Sequence, residues 1–360
     1  PYAEPPEGVS LTCLVQDRTH DYYWAGTDGS GVLLFNPLAE RGEQFARFPL
    51  PRNSMGEAEG NVLFLVQDDC DGLLWATMRS DLVALRYDEE EKQLRQTGFR
   101  LPVRGGRMLN EICKDNRGAL WVASFDEQSF VIRFAEDAPE EYALPALRER
   151  TAFNPAIMAL CDAGERKMWI SQERTGVGLY DLANEQVRLY SDFSQLARLP
   201  LGVVKLMYPS RRKGNVWVVP ENRDVAYELS RRGMEMELRQ TVDGSGLSPR
   251  AAFTRLYEDK QGLLWIGTTR GICLYDPARK SLRTVCDTLG PVSAIEEGGK
   301  GVLWIGTNGK GLYRMGKDGR CTPCPTPRAI SCLAVPEPGR VWIGTQEGGV
   351  YEFSPADGAL

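Results

Sequence analysis

Histidine is almost absent from this chain of 360 residues, and His20 is the single example. Metal sites built on imidazole and catalytic triads centred on histidine therefore lose their usual residue. His20 itself falls in a polar turn, Asp17-Arg18-Thr19-His20-Asp21, and is expected to face solvent. Positive charge is not in excess either: 43 Lys and Arg against 49 Asp and Glu leave a net charge of −6. No overall attraction then draws the chain to nucleic acid or to an anionic bilayer, and neither is expected as a partner. Long apolar runs are missing, since nothing approaches the roughly 20 residues that cross a bilayer, so this chain should contain no direct membrane span. The cysteines, nine in number, lack the spacing of a disulfide scaffold. Cys321-Thr322-Pro323-Cys324 has C-x-x-C spacing, but no second pair or histidine cluster follows it, so neither a metal nor another cofactor is expected.

What is present is a repeat. Hydrophobic residues make up 42 % of the chain and charged residues 26 %, an ordinary globular composition. All eight tryptophans, Trp24, Trp75, Trp121, Trp169, Trp217, Trp265, Trp304 and Trp342, fall in one register. Successive spacings are 51, 46, 48, 48, 48, 39 and 38 residues, and the step from Trp342 through the chain ends to Trp24 is 42. Periods of about 40 to 50 residues with period-two alternation are those of β-propeller blades, whereas helical repeats would show a 3.6-residue period.

The clearest copy predicts four strands: 253–259, 264–268, 271–276 and 281–286, with Gly262 and Pro277-Ala278-Arg279-Lys280 in the turns. The fold class read from this pattern is all-β, a propeller of four-stranded antiparallel blades. Residues 1–360 would form a single domain of eight blades, with seven as the alternative. Each Trp should fill the gap between neighbouring blades, and replacing Trp265 by Ala is expected to cost about 3 to 5 kcal/mol. After Val350-Tyr351 too little chain remains for a fourth strand. Pro1 to Pro6 is therefore expected to complete the last blade and remove its open edge, unless the natural chain continues past Leu360.

The stretch Asp259-Lys-Gln-Gly262-Leu-Leu-Trp265-Ile-Gly-Thr268-Thr-Arg-Gly271-Ile-Cys-Leu-Tyr275-Asp276 resembles the two-component-regulator propeller repeat. It recurs as Gly301-Val-Leu-Trp304-Ile-Gly-Thr307, as Trp342-Ile-Gly-Thr345 and as Trp24-Ala-Gly-Thr27, with more diverged copies between. The resemblance implies the periplasmic or extracellular sensor region of a hybrid two-component system of Bacteroidetes. There such propellers report glycans or other nutrients to a histidine kinase, with further sensor domains in the full-length protein. The chain departs from that pattern in having one ring of repeats, no immunoglobulin-like domain and no kinase segment.

Three classes of function follow: a ligand-sensing propeller, a free-standing protein-interaction propeller, and a propeller lyase or glycoside hydrolase. Nothing marks a catalytic carboxylate pair, and the reading favours binding over catalysis. A ligand would meet the loops that join second to third strands and blade to blade, which gather at one end of a propeller. Those loops carry Arg79, Arg174, Arg223, Arg270 and Lys310, with Arg104, Arg107 and Phe125 expected at the same end. Guanidinium groups beside an aromatic ring suit carboxylated or sulfated sugars.

Overall fold

Short β-rich segments separated by Gly, Asp and Pro turns pair with their sequence neighbours, because a tight turn can join only antiparallel strands. The structure, a computed structural model, describes residues 9–360 except for 18–19, 41–42, 51, 53–59, 68–71, 79–80, 103–108, 115–119, 125–129, 136–137, 144–156, 173–174, 182, 185, 222, 248, 300, 338, 347–349 and 357. Among the described residues the chain forms eight antiparallel sheets, seven of four strands and a last one of three. Numbered in chain order as blades 1 to 8, they span 10–48, 62–102, 109–143, 157–189, 204–243, 253–286, 292–323 and 330–353. Blade 6 consists of Phe253–Glu258, Leu264–Thr268, Ile272–Asp276 and Ser281–Cys286, within one residue of the strands predicted from its pattern.

First strands of consecutive blades touch one another from blade 1 to blade 8. The circle closes where Arg340–Thr345 of blade 8 meets Ser10–Gln16 of blade 1. The expected strand at Pro1 to Pro6, and its pairing with the last strand of blade 8, lie outside the described residues. In every blade the first strand carries a register irregularity near its start, as between Phe253 and Arg255. Such bulges bend a strand and add twist, which suits the innermost strand of a ring.

The W-x-G-T motif has a packing reason. A Cβ at Gly267 would lie 2.7 Å from Val292 Cγ1, and one at Gly306 would lie 2.7 Å from Ile330 Cγ2, each on the first strand of the next blade. The glycine therefore marks where one blade presses on its neighbour. The threonine closes the hairpin that follows: Thr268 Oγ1 donates to the Gly271 carbonyl at 3.0 Å, and Thr307 Oγ1 to that of Gly311 at 2.7 Å.

Every tryptophan stands on the second strand of its blade, and seven of the eight are 3 % exposed or less. Burial makes an acceptor valuable to an indole N–H. Trp24 donates to Asp17 Oδ2 at 2.8 Å, Trp265 to Asp259 Oδ2 at 2.9 Å and Trp217 to Glu258 Oε2 at 3.2 Å, while Trp169 uses the Gly214 carbonyl at 2.9 Å. Asp17 also accepts from Gln67 Nε2 of blade 2 at 2.8 Å. The acidic residue after the first strand is thus a structural acceptor. His20 stands in its turn with the side chain 37 % exposed, while its ring stacks on Tyr22 at 4.8 Å and its two nitrogens meet Asp17 and, across the blade boundary, Glu89.

Candidate functional site

Alternating strand direction puts the hairpins between second and third strands at the same end of the ring as the links between blades. Hydrogen bonds stitch these segments together. Phe253 N donates to the Arg223 carbonyl at 3.2 Å, Thr269 N to that of Ala252 at 3.0 Å, and Gly290 N to that of Arg270 at 2.8 Å. Lys310 Nζ continues the rim by donating to the Thr288 carbonyl at 2.7 Å. The structure thus brings Arg223, Arg270 and Lys310 to one end, on consecutive blades and all exposed. The ammonium of Lys310 is tied to the backbone, whereas the guanidinium groups of Arg223 and Arg270 make no hydrogen bond or ion pair among the described residues. Arg79, Arg104, Arg107, Phe125 and Arg174 lie outside those residues.

The opposite end, where first and second strands turn, holds a feature that the sequence reading missed. Between blades 6 and 7 opens a cleft of about 610 Å³, within the range of small-ligand sites. One of its walls is Trp265, the single tryptophan that is only half-buried. This corrects the expectation that Trp265 is buried like the rest.

The cause is visible by comparing blade 6 with blade 1. The Trp24 ring is covered by Phe48 at 6.2 Å and Tyr87 at 5.1 Å between centroids, with Ala46 packed into the same cluster. Strand register gives their counterparts around Trp265. Trp24 pairs with Leu34 and Leu34 with Ala46, as Trp265 pairs with Leu274 and Leu274 with Arg283. Val32 faces Phe48 where Ile272 faces Cys286. In the next blade Leu74 pairs with Leu85, two residues before Tyr87, where Leu303 pairs with Met315, two residues before Lys317. At the register irregularity Val285, not Cys286, reaches the cleft, so Arg283, Val285 and Lys317 line the space beside Trp265 where an alanine and two aromatic rings cover Trp24. Aligning the blades by strand register is the signal that could have located it.

Charges around the cleft divide into committed and free groups. Asp259 accepts the Trp265 indole and the backbone N–H groups of Gln261 and Leu263, both at 2.9 Å. Glu297 accepts from Tyr257 Oη at 3.1 Å and pairs with Lys260 at 3.8 Å. Asp318 pairs with Arg320 at 3.7 Å. Arg283 and Lys317 are exposed and have no hydrogen bond or ion pair among the described residues. Desolvation, then the bond to Glu297, raises the Tyr257 hydroxyl above the ordinary phenol range, and burial pushes the neighbouring Glu296 carboxyl up to about 7.

A second acidic group lies between blades 5 and 6. Ser210 Oγ sits 3.2 Å from Glu228 Oε1 and 3.1 Å from Glu258 Oε2. Glu228 also accepts from Arg212 at 2.8 Å, Asn215 at 2.8 Å and Gln240 at 2.6 Å, and Glu258 from the Trp217 indole and the Arg211 N–H. Each carboxylate has its donors, so the arrangement is a clamp between blades.

The family described as two component regulator propeller matches residues 246–270, which contain Asp259 and Trp265. A comparison with the curated proteins finds no match. Among solved structures, the chain is similar over 99 % of its length to the extracellular domain of a hybrid two component system from B. thetaiotaomicron, with 15 % identity and a TM-score of 0.51. It spans 54 % of that chain. It is also similar to Saccharomyces cerevisiae Sqt1, with 11 % identity, a TM-score of 0.69 and 98 % of each chain covered. The Dos1 propeller is similar at 12 % identity and a TM-score of 0.68, covering 98 % of this chain and 94 % of that one. At these identities the likeness to solved structures is one of fold, and that fold is the β-propeller. Among the described residues no helix is long and apolar enough to cross a membrane.

Proposed function

We propose that this propeller is the ligand-sensing region of a two-component signalling protein, placed outside the cytoplasm, and that it reads a glycan or another nutrient for a histidine kinase or further sensor domains. The observation that carries this reading is the regulator-propeller repeat at residues 246–270. The fold shared with an extracellular sensor domain supports it. The reading is binding rather than turnover, because the closely placed carboxylates Glu228 and Glu258, which share the Ser210 hydroxyl, are occupied in holding blades 5 and 6 together. Ligand candidates meet two surfaces: the basic rim of Arg223, Arg270 and Lys310, and the cleft beside Trp265.

A thermal-shift screen of the 360-residue chain against soluble glycans and other nutrients tests the proposal. A ligand at 100 times its Kd adds about 2.7 kcal/mol to the folded state, which moves the melting temperature by a readable amount. A screen in which no small molecule stabilises the chain would overturn the sensing reading. Chemical conversion of a stabilising ligand would make the propeller an enzyme instead.

A further inference from the structure

We infer that the cleft between blades 6 and 7 is a binding site for an anionic sugar, with one ring against the Trp265 indole and its acid group held by Arg283 and Lys317. The inference deepens the ligand-sensing reading and rests on it for the nature of the ligand. Four observations carry it.

The first is that the site departs from the repeat. Where Ala46, Phe48 and Tyr87 cover the Trp24 indole, Arg283, Val285 and Lys317 line the cleft beside Trp265. A structural tryptophan gains stability from full burial, and the other seven have it. Leaving one indole half-open costs the blade part of that gain, and the exposed ring offers a ligand a flat apolar surface.

The second is the size of the space. About 610 Å³ holds a ligand of one or two pyranose rings. The third is the division of charge. Arg283 and Lys317 line the cleft without an acidic partner among the described residues, whereas Asp259, Glu297 and Asp318 already have donors. An incoming anion is therefore met by two free cations and need not break a protein ion pair to reach them. Arg283 offers a planar fork for a carboxylate or sulfate, and Lys317 adds a point charge.

The fourth observation separates a sugar from an aromatic acid of similar size. The committed carboxylates retain lone pairs: Asp259 and Glu297 stand in the same wall as Trp265 and can each accept a hydroxyl proton as well. A sugar has hydroxyl groups to give them. A simple aromatic acid does not, and it would place apolar edges against those oxygens. The C–H face of a pyranose packs on an indole in the same orientation that turns its hydroxyl rim toward such acceptors.

The test uses the 360-residue chain with digalacturonate as the acidic probe and its uncharged methyl ester as the neutral control. Binding is followed by calorimetry and by tryptophan fluorescence, because Trp265 alone among the indoles is open to a ligand. The acid is expected to bind at least ten times more tightly than the ester and to alter the fluorescence. Its affinity should fall as salt rises, since the Debye length shrinks from about 8 Å at physiological salt to about 3 Å at 1 M. The double variant Arg283→Glu/Lys317→Glu should lose at least tenfold in affinity for the acid while melting like the parent. Trp265→Phe should weaken both probes. If it fails to fold, the charge-reversal variant, at two exposed positions, still decides. Acid binding unchanged in the cleft variants but lost in Arg223→Glu/Arg270→Glu would overturn the inference and move the site to the opposite rim, with the sensing proposal intact. Equal binding of acid and ester would also overturn it. Failure of both probes here, while another ligand stabilises the chain, sinks the cleft assignment alone. Failure of every ligand sinks both.

Discussion

Trp265 and Trp24 occupy the same place in their blades, yet their rings should be worth different amounts to the fold. Trp24 is 1 % exposed and enclosed by Tyr22, Phe48 and Tyr87, so Trp24→Ala removes a complete set of contacts and leaves a cavity. The expected loss is about 3 to 5 kcal/mol. Trp265 has one open face, so Trp265→Ala is expected to cost about 1 to 2 kcal/mol. Urea midpoints of the two variants check the difference; equal losses would mean that Trp265 is as well covered as Trp24. Glu296 makes a second prediction at this scale. Burial raises its carboxyl from 4.5 to about 7, so the folded chain binds the proton more tightly than the unfolded one. This group therefore favours folding below its ordinary pKa, and the contribution fades as pH climbs toward 7. Stability should fall between pH 5.5 and pH 8, and Glu296→Gln should flatten that fall by on the order of 1 kcal/mol, allowing for partial exposure. Chemical denaturation at the two pH values reads it, and an unchanged slope in the variant would assign the fall to other groups.

Within a blade, the antiparallel strands and the irregularity near the start of the first one repeat because local pattern dictates them, whereas contacts between blades vary. Where blades 5 and 6 meet, Glu258 receives the Trp217 indole, the Arg211 N–H and the Ser210 hydroxyl. Glu258→Ala leaves a buried indole N–H without its acceptor and should destabilise the chain by about 1 to 3 kcal/mol, with Glu258→Gln closer to the parent. Urea melts of the two variants rank them, and a silent alanine variant would show water or another group filling the role. This contrast also explains what could be read in advance. The strands of blade 6 follow from β-rich runs divided by turns at Gly262 and Pro277, and the Trp register follows from spacing alone, since both are properties of one segment. The bond from Trp24 to Asp17 and the cleft at Trp265 depend on residues that strand register brings together. The cover of Trp265 comes from positions 18 to 52 residues further along the chain. Composition at Trp265 itself, in a clean W-I-G-T, points to burial, and only the identities of Arg283 and Lys317 reverse it. The basic hairpins were legible as residues, and the structure places Arg223, Arg270 and Lys310 together at one end. That a second surface competes with them was not legible.

At the scale of the whole ring, one boundary, the seam, joins blades that are first and last in the sequence. Seven boundaries between blades are backed by a covalent link from one blade to the next. Among the described residues, the boundary between blade 8 and blade 1 is held by packing, with Trp342 inserted among Val9, Leu11, Tyr23 and Phe35. Phe35 meets Trp342 edge-on at 4.6 Å between centroids, and Tyr23 lies 5.2 Å from the same ring. An open stack of repeats loses end blades one at a time, because each contacts only its neighbours. A closed ring gives every blade two neighbours, so the seam is what makes unfolding a single event. Phe35→Ala strikes that seam, since the side chain is 2 % exposed and touches both Trp342 and Phe45. A loss of about 3 to 5 kcal/mol is expected from the cavity. If the seam holds the ring as a unit, part of the molecule should also melt early in this variant, giving a two-step transition where the parent gives one. The control is Leu229→Ala, buried in the cluster between blades 4 and 5, well away from the seam. It should lower the midpoint by about 2 to 5 kcal/mol and keep a single transition. Unfolding followed by both tryptophan fluorescence and far-ultraviolet circular dichroism separates the cases. Coincident curves for both variants would show that the circle does not depend on this contact, and divergent curves for Phe35→Ala alone would show that it does.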